Sequence, residues 1–215
     1  MDDASLFRYT NFASLIDLLV KRKISLLDPG KWTDRNDSAF IKLYGSSLGF
    51  KSLYAICFTS SVETSHHWHA FAPGTDGVRI EFDKYGLIEC LENDKNSIDH
   101  GKVKYKTLKE VESQNFELGE MPFIKRYAFR GEDEYRVFYA SKRLLKSKIY
   151  EIKLDLSCIK KITINNNLPK ELADPLKKLI CSIDGCETIS VSRSTLNYNN
   201  RWVTAGVKKS QVLSI

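Results

Sequence analysis

The chain has 215 residues, the size of one large domain at about 150 residues each, and its 42% hydrophobic and 28% charged residues exclude wholesale disorder. Lys and Arg number 33 against 27 Asp and Glu, a net charge of +6 that suits a polyanionic partner without requiring one. No apolar run approaches the roughly 18 residues of a membrane span, and the opening carries Asp2 and Asp3 with no basic stretch, so neither a membrane contact nor a secretory leader is expected.

Leu6, Phe7 and Tyr9 suit a short strand. Phe12, Leu15, Ile16, Leu19 and Val20 then recur at helical spacing, with Thr10 or Asn11 as the N-cap. Ile24 to Leu27 resumes an extended run, closed by the turn signal Asp28-Pro29-Gly30. Leu53 to Thr59 is a continuous apolar run of strand length, which predicts a buried central strand. Ser60 to Thr64 offers capping chemistry for a short helix over Ser65 to Phe71, and Gly77 to Phe82 alternates as a strand. Lys102 to Lys106 alternates too, and 107–131 reads as one or two helices plus a loop. Tyr135 to Tyr139 is a strand. The alternation of Tyr150, Ile152, Leu154 and Leu156 is the clearest half-exposed strand, followed by another over Ile159 to Ile164. Pro169 opens a helix with Leu172, Leu176, Leu179 and Ile180, and Thr188 to Val191 gives a last strand. Without a repeat, a linker or a βαβ rhythm, 1–215 reads as a single α+β domain.

The chemistry-bearing residues fall in four groups. His66, His67 and His69 flank Trp68, but no HExxH or partnered cysteine pattern supports a metal site, so no metal is expected. Neither GxSxG, a P-loop nor GxGxxG is present, which removes elbow hydrolases, Walker-type NTPases and Rossmann dehydrogenases. Five cysteines (Cys57, Cys90, Cys158, Cys181, Cys186), odd in number and without CxxC spacing, fit free thiols in a reducing cytoplasm. Glu132 and Glu134, two apart in extended chain, point to one side of a strand start, where mutual repulsion raises one pKa. Between Ser141 and Lys170 lie eight basic residues against Glu151 and Asp155, an excess of six. Within it, Lys142, Arg143, Lys146 and Lys148 are the candidate nucleic-acid contacts, with Tyr139 and Tyr150 near them as base-stacking aromatics. The ordinary alternative is a solvated face.

Three blocks carry a resemblance: Leu6-Phe7-Arg8-Tyr9-Thr10 with Trp32-Thr33-Asp34; Cys57-Phe58-Thr59-Ser60-Ser61 with Trp68; and Glu132-Asp133-Glu134-Tyr135-Arg136. In order and spacing they resemble a bacterial family of uncharacterised domains met among phage-defence and toxin genes. Arg35 stands where that family usually has Pro, and His67 where it has Met. More remotely, Arg8, Thr59-Ser60-Ser61 and Glu132-x-Glu134 are similar to the motifs of ADP-ribosyltransferases. That resemblance implies a split β-sandwich with flanking helices and NAD as co-substrate in the cleft. Arg8 would grip a phosphate or ribose oxygen, with Tyr9, Thr10, Thr59, Ser60, Ser61 and Trp68 around the nicotinamide ribose. Glu134 would stabilise charge at the breaking glycosidic bond, and Glu132 would orient or deprotonate the acceptor. RNA is the favoured acceptor, with DNA or protein as alternatives, and a toxin would imply a neutralising antitoxin protein. A non-catalytic binding module, or a metal-independent nuclease using the histidines, are the rival readings.

Overall fold

The computed structural model describes residues 4–212, so Asp2 and Asp3 lie outside the described residues. The chain opens with β1 (Ser5–Asn11), whose last residue caps α1 (Phe12–Lys21) by accepting the Ser14 N–H at 2.8 Å. Next come β2 (Lys23–Leu27), α2 (Arg35–Leu48) and β3 (Ser52–Thr59). The helix α3 (Ser65–Phe71) follows, capped by Thr64 as its sequence predicts. Then come β4 (Gly77–Asp83), α4 (Lys84–Glu92), β5 (Asp99–Lys102), β6 (Lys104–Lys106), α5 (Leu108–Ser113), β7 (Ile124–Arg126) and β8 (Glu134–Ser141). The remainder is β9 (Ile149–Lys153), β10 (Ile159–Ile164), α6 (Lys170–Cys181), β11 (Ser190–Arg193) and α7 (Asn200–Val212).

This is an α+β fold: one large sheet with helices on its flanks, as expected. Three helices, α2, α4 and α7, and the strands β5 and β7 are absent from the sequence reading. The region 107–131 yields only α5 and two 3-10 turns beside β7.

The sheet runs β11-β10-β4-β1-β3-β2-β9, with β8 pairing β3 and β5 pairing β8. Its ladders are unequal. β1 and β4 pair along their length from Ser5↔Asp83 to Asn11↔Gly77, and β3 and β8 from Ser52↔Ser141 to Thr59↔Glu134. By contrast, β1 meets β3 only at Phe7↔Thr59, and β2 meets β3 only at Leu27↔Ala55. The sheet is therefore three ladders, β11-β10-β4-β1, β3-β8-β5 and β2-β9, the first and last joined to β3 through two single-residue bridges, and the residues of β1 beyond Phe7 diverge from β3.

Alternation decides which faces are buried. Val78, Ile80 and Phe82 of β4 join Leu15 and Leu19 of α1 and Ile162 of β10 in the main core. A second, smaller core holds Ile41 and Tyr44 of α2 against Phe138 of β8. Each large side chain so buried contributes about 1.5–3 kcal/mol. This second core fixes α2 against the sheet and carries Asp37 inward.

Candidate functional site

Where β1 leaves β3, a cleft of about 840 Å³ opens, within the range of small-molecule sites. Arg8, Tyr9, Thr10 and Thr59 line it, as do Glu132, Glu134, His67, Asp34, Asp37 and Lys125. The split itself is bridged by a side chain: Arg8 Nη1 donates to the Cys57 carbonyl at 3.0 Å, a group that β1 backbone pairing does not reach.

The carboxylate wall is built from three chain segments. Glu134 opens β8, and α2 delivers Asp37 from behind its cap, Asp34, whose Oδ1 accepts the Asn36 and Asp37 N–H groups. Arg136, fully buried, donates from Nε to Glu134 Oε1 at 2.7 Å. Its Nη1 and Nη2 reach Asp37 Oδ1 and Oδ2 at 2.9 and 2.7 Å, a bidentate pair. Lys125 Nζ lies 2.5 Å from Glu132, 3.1 Å from Glu134 and 3.6 Å from Asp37. The geometry expected for Glu132 and Glu134, extended alternation, is corrected. A 3-10 turn ends at Glu132, Asp133 takes the left-handed conformation (φ 43°, ψ 51°), and the strand begins at Glu134. The two carboxylates converge because both meet Lys125. Asp is among the few residues that tolerate that conformation, and Asp133 is held by Ser61 Oγ at 3.2 Å and by the Ser60 N–H at 2.9 Å.

The protonation states follow from these contacts. Burial works to raise the Glu134 carboxyl, but the Arg136 guanidinium and Lys125 ammonium outweigh it and hold it at about 2. Burial raises Glu132 and Asp37 against the same cations. Burial depresses Lys125, yet Glu134 and Glu132 lift it above the ordinary lysine value. Three carboxylates against two cations leave the ionised wall with one net negative charge, while Arg8 is the cation across the split.

A pH prediction follows. Glu134's folded pKa is depressed, so its stabilisation is complete above its ordinary 4.5 and drains as pH falls toward 2. Asp37 and Glu132, whose pKa values are raised, act in the opposite sense: their contribution is present below their ordinary values and lost as pH rises through the folded ones. The stability gap between the parent and Glu134→Gln is expected to narrow between pH 4.5 and 2 in denaturant titrations. A gap constant over that window would show that Glu134 is not ion-paired in solution.

The other expected site residues divide clearly. Thr59 is buried beside Glu134 in the ladder, and its Oγ1 accepts the Ser61 N–H at 3.0 Å. Ser60, Ser61 and Trp68 sit outside the cleft lining. Trp68 donates to Glu63 at 2.8 Å and meets the Tyr9 ring edge-on at 5.0 Å. Tyr9 stacks on His67 at 5.4 Å, and burial pushes its hydroxyl up to about 12. Among the lining aromatics Trp32 and Phe129 are half-exposed and Phe71 is exposed. His67 is buried between Thr64 and the Glu132 carbonyl, and burial lowers its pKa, whereas His66 and His69 are exposed. The three histidines therefore do not converge, and no cluster fit to hold a metal occurs among the described residues.

Lys142, Arg143, Lys146 and Lys148 are exposed on the loop after β8, at the end opposite Glu134. Seven residue steps of about 3.3 Å put that loop about 23 Å from the cleft wall. The stacking role expected of Tyr139 and Tyr150 is overturned. Tyr139 is buried with its ring 4.0 Å from that of Tyr150, whose hydroxyl is engaged by Asp94 and Asn96. The sequence reading misses Asp37 and Lys125 altogether. The Asp34-x-x-Asp37 spacing ahead of Phe40, Ile41 and Tyr44 was a legible helix-start signal for the first, and nothing local marks the second.

With this geometry in hand, similarities to known proteins can be placed on it. A family described as "Protein of unknown function (DUF2971)" matches residues 67–137, a span from the cleft histidine into β8 that contains Lys125, Glu132 and Glu134. Three solved structures of Thermus sp. 2.9 DarT are similar over most of the chain. The complex with ADP-ribosylated ssDNA shares 9% identity over 92% of this chain and 97% of that one, with a TM-score of 0.47. The NAD+ complex shares 7% over 93% and 99%, and the carba-NAD+ complex 8% over 93% and 100%, each with a TM-score of 0.47. No curated protein matches the sequence. No described helix is long and apolar enough to cross a membrane, and the five cysteines are free.

Proposed function

We propose that the protein is an NAD-dependent mono-ADP-ribosyltransferase, with nucleic acid as its favoured acceptor and a role as a toxin or defence effector. The observation that carries this reading is the bipolar cleft. One side holds Arg8, whose guanidinium reaches across to the Cys57 carbonyl of β3; on the strand beyond, β8, stands a carboxylate cluster with one net negative charge. NAD is bipolar in the same sense, with an anionic diphosphate and a cationic nicotinamide ring. Among the described residues the buried Asp34 Oδ2, on a residue of the lining, has no protein partner.

Arg8 binds the diphosphate with the donors left after its bond to Cys57. Thr59, with Ser60 and Ser61 bracing Asp133 behind it, positions Glu134. Glu134 keeps a full negative charge beside the ribose as the bond to nicotinamide breaks and positive charge develops there. Nicotinamide leaves with the bonding electron pair. Glu132, less acidic than an ordinary carboxyl, takes the proton of the attacking acceptor group. An enzyme that marks nucleic acid in its own cell needs restraint, so an antitoxin protein belongs to this reading.

The test is incubation of the purified protein with labelled NAD, separately with total RNA, single-stranded DNA and lysate. Label is expected in nucleic acid. Arg8→Gln is expected to weaken NAD binding about 10- to 100-fold, the worth of a charge-assisted hydrogen bond. Absence of NAD binding and of nicotinamide release in every mixture would leave a binding module. RNA shortened without NAD would mean a nuclease.

A further inference from the structure

We infer that a ledge made by α6, β11 and the start of α7 is a docking surface for single-stranded nucleic acid. The inference extends the proposed function by naming where the acceptor lies, but its test needs no NAD.

A groove of about 320 Å³ opens between α6 and β11, with Lys170, Lys177 and Arg193 on its rim and Asp174 as the acid among them. Lys170 and Lys177 stand two helical turns apart on one face of α6, both exposed. The Arg193 guanidinium is fixed, donating to the carbonyls of Leu168 and Asn166. Between these charges the groove floor mixes Ile164, Ala173 and Val191 with Ser192 and Thr195. A phosphate backbone is met by the three cations on the rim, which outnumber Asp174.

Two aromatics project beside it. Tyr198 is 70% exposed and lines the groove; Trp202, one turn on, is 82% exposed. Between them Asn199 caps α7, its Oδ1 accepting the backbone N–H groups of Arg201 and Trp202. The sequence of α7 holds Arg201, Lys208 and Lys209 and no acid. Exposed rings on a cationic ground are what unstacked bases bind, and a duplex offers no free base face.

The ledge adjoins the cleft. Asn165 Nδ2 donates to the Ala72 carbonyl at 2.9 Å and Asn167 Nδ2 to the Pro73 carbonyl at 3.3 Å, and Ala72 and Pro73 line the cleft. Ser194 continues that wall, its N–H on the Ile164 carbonyl at 2.8 Å. The basic loop at 142–148 has no such connection.

The test uses the full chain without NAD and fluorescein-labelled 12-mers of oligo(dT) and oligo(U), read by anisotropy. Binding of either supports the ledge, and the stronger of the two identifies the sugar. Tyr198→Ala and Trp202→Ala are each expected to weaken binding about tenfold. Lys170→Gln with Lys177→Gln should lower the slope of log K against log salt by about 1.4, two phosphate contacts on a single strand. Tryptophan fluorescence should be quenched by oligomer in the parent and not in Trp202→Phe. Unchanged affinity in these variants, an equal loss from Lys142→Gln with Lys146→Gln, or equal competition by duplex DNA or an acidic peptide would overturn the inference. If NAD is never cleaved while these variants still lose oligomer binding, the transferase reading falls and the ledge stands.

Discussion

Glu134→Gln is expected to slow nicotinamide release from NAD at least a hundredfold, about the cost of removing one preorganised electrostatic group from an active site. The variant isolates charge from shape. Gln keeps an oxygen for Arg136 Nε, and Arg136 keeps its bidentate pair with Asp37, so the wall stays assembled. What disappears is the negative charge that Arg136 and Lys125 hold at every working pH. Glu132→Gln separates the two carboxylate roles. It should spare nicotinamide release to water but depress transfer to the acceptor, because only the acceptor step needs a base there. A Glu134→Gln protein as active as its parent would sink the assignment, since Glu134 is the lining carboxylate whose charge Arg136 and Lys125 hold at about 2.

The parts legible in the sequence are those where local pattern and tertiary role agree. The apolar run of β3, the alternation of β9 and the spacing in α1 each carry their own period, which reports a buried face whatever the chain distance to the partner. Arg8, Thr59 and Glu134 were legible as an ordered triple at strand edges, and the structure brings all three to one split. The rest depends on distance. Asp37 meets Arg136 across 99 residues, and α2, diluted by Gly45, Ser46 and Ser47, has little propensity of its own beyond the Asp34 cap. Lys125 reaches the wall because the three-residue strand β7 pairs with β6, a contact with no local signature. The basic stretch after β8 misled for the converse reason. Charge counts say how many cations there are and not which face they share, and the tyrosines nearest them were already committed to the core.

Arg136→Met is expected to cost about 3–5 kcal/mol and lower the melting temperature by about 10 °C, because it strands two buried carboxylates. Asp37 would lose both of its guanidinium bonds and keep only Lys125 at 3.6 Å, and the Pro122 carbonyl would lose its donor. Loss of that clamp frees α2, and with it Asp34 and Trp32, which line the cleft, so NAD binding should fall along with stability. Lysine is no substitute, since one ammonium cannot bridge Glu134 and a bidentate Asp37. The decisive variant is the double substitution Arg136→Met with Asp37→Asn. Removing the stranded charge should recover part of the loss, giving a coupling of about 0.5–3 kcal/mol between the two positions. Additive effects would mean that Arg136 stabilises by packing against Trp32, where its guanidinium lies 4.8 Å from the ring, and not by charge. Coupling would establish that the ion network that fixes Glu134's charge also holds α2 to the sheet, so that a single buried arginine serves both the site and the fold.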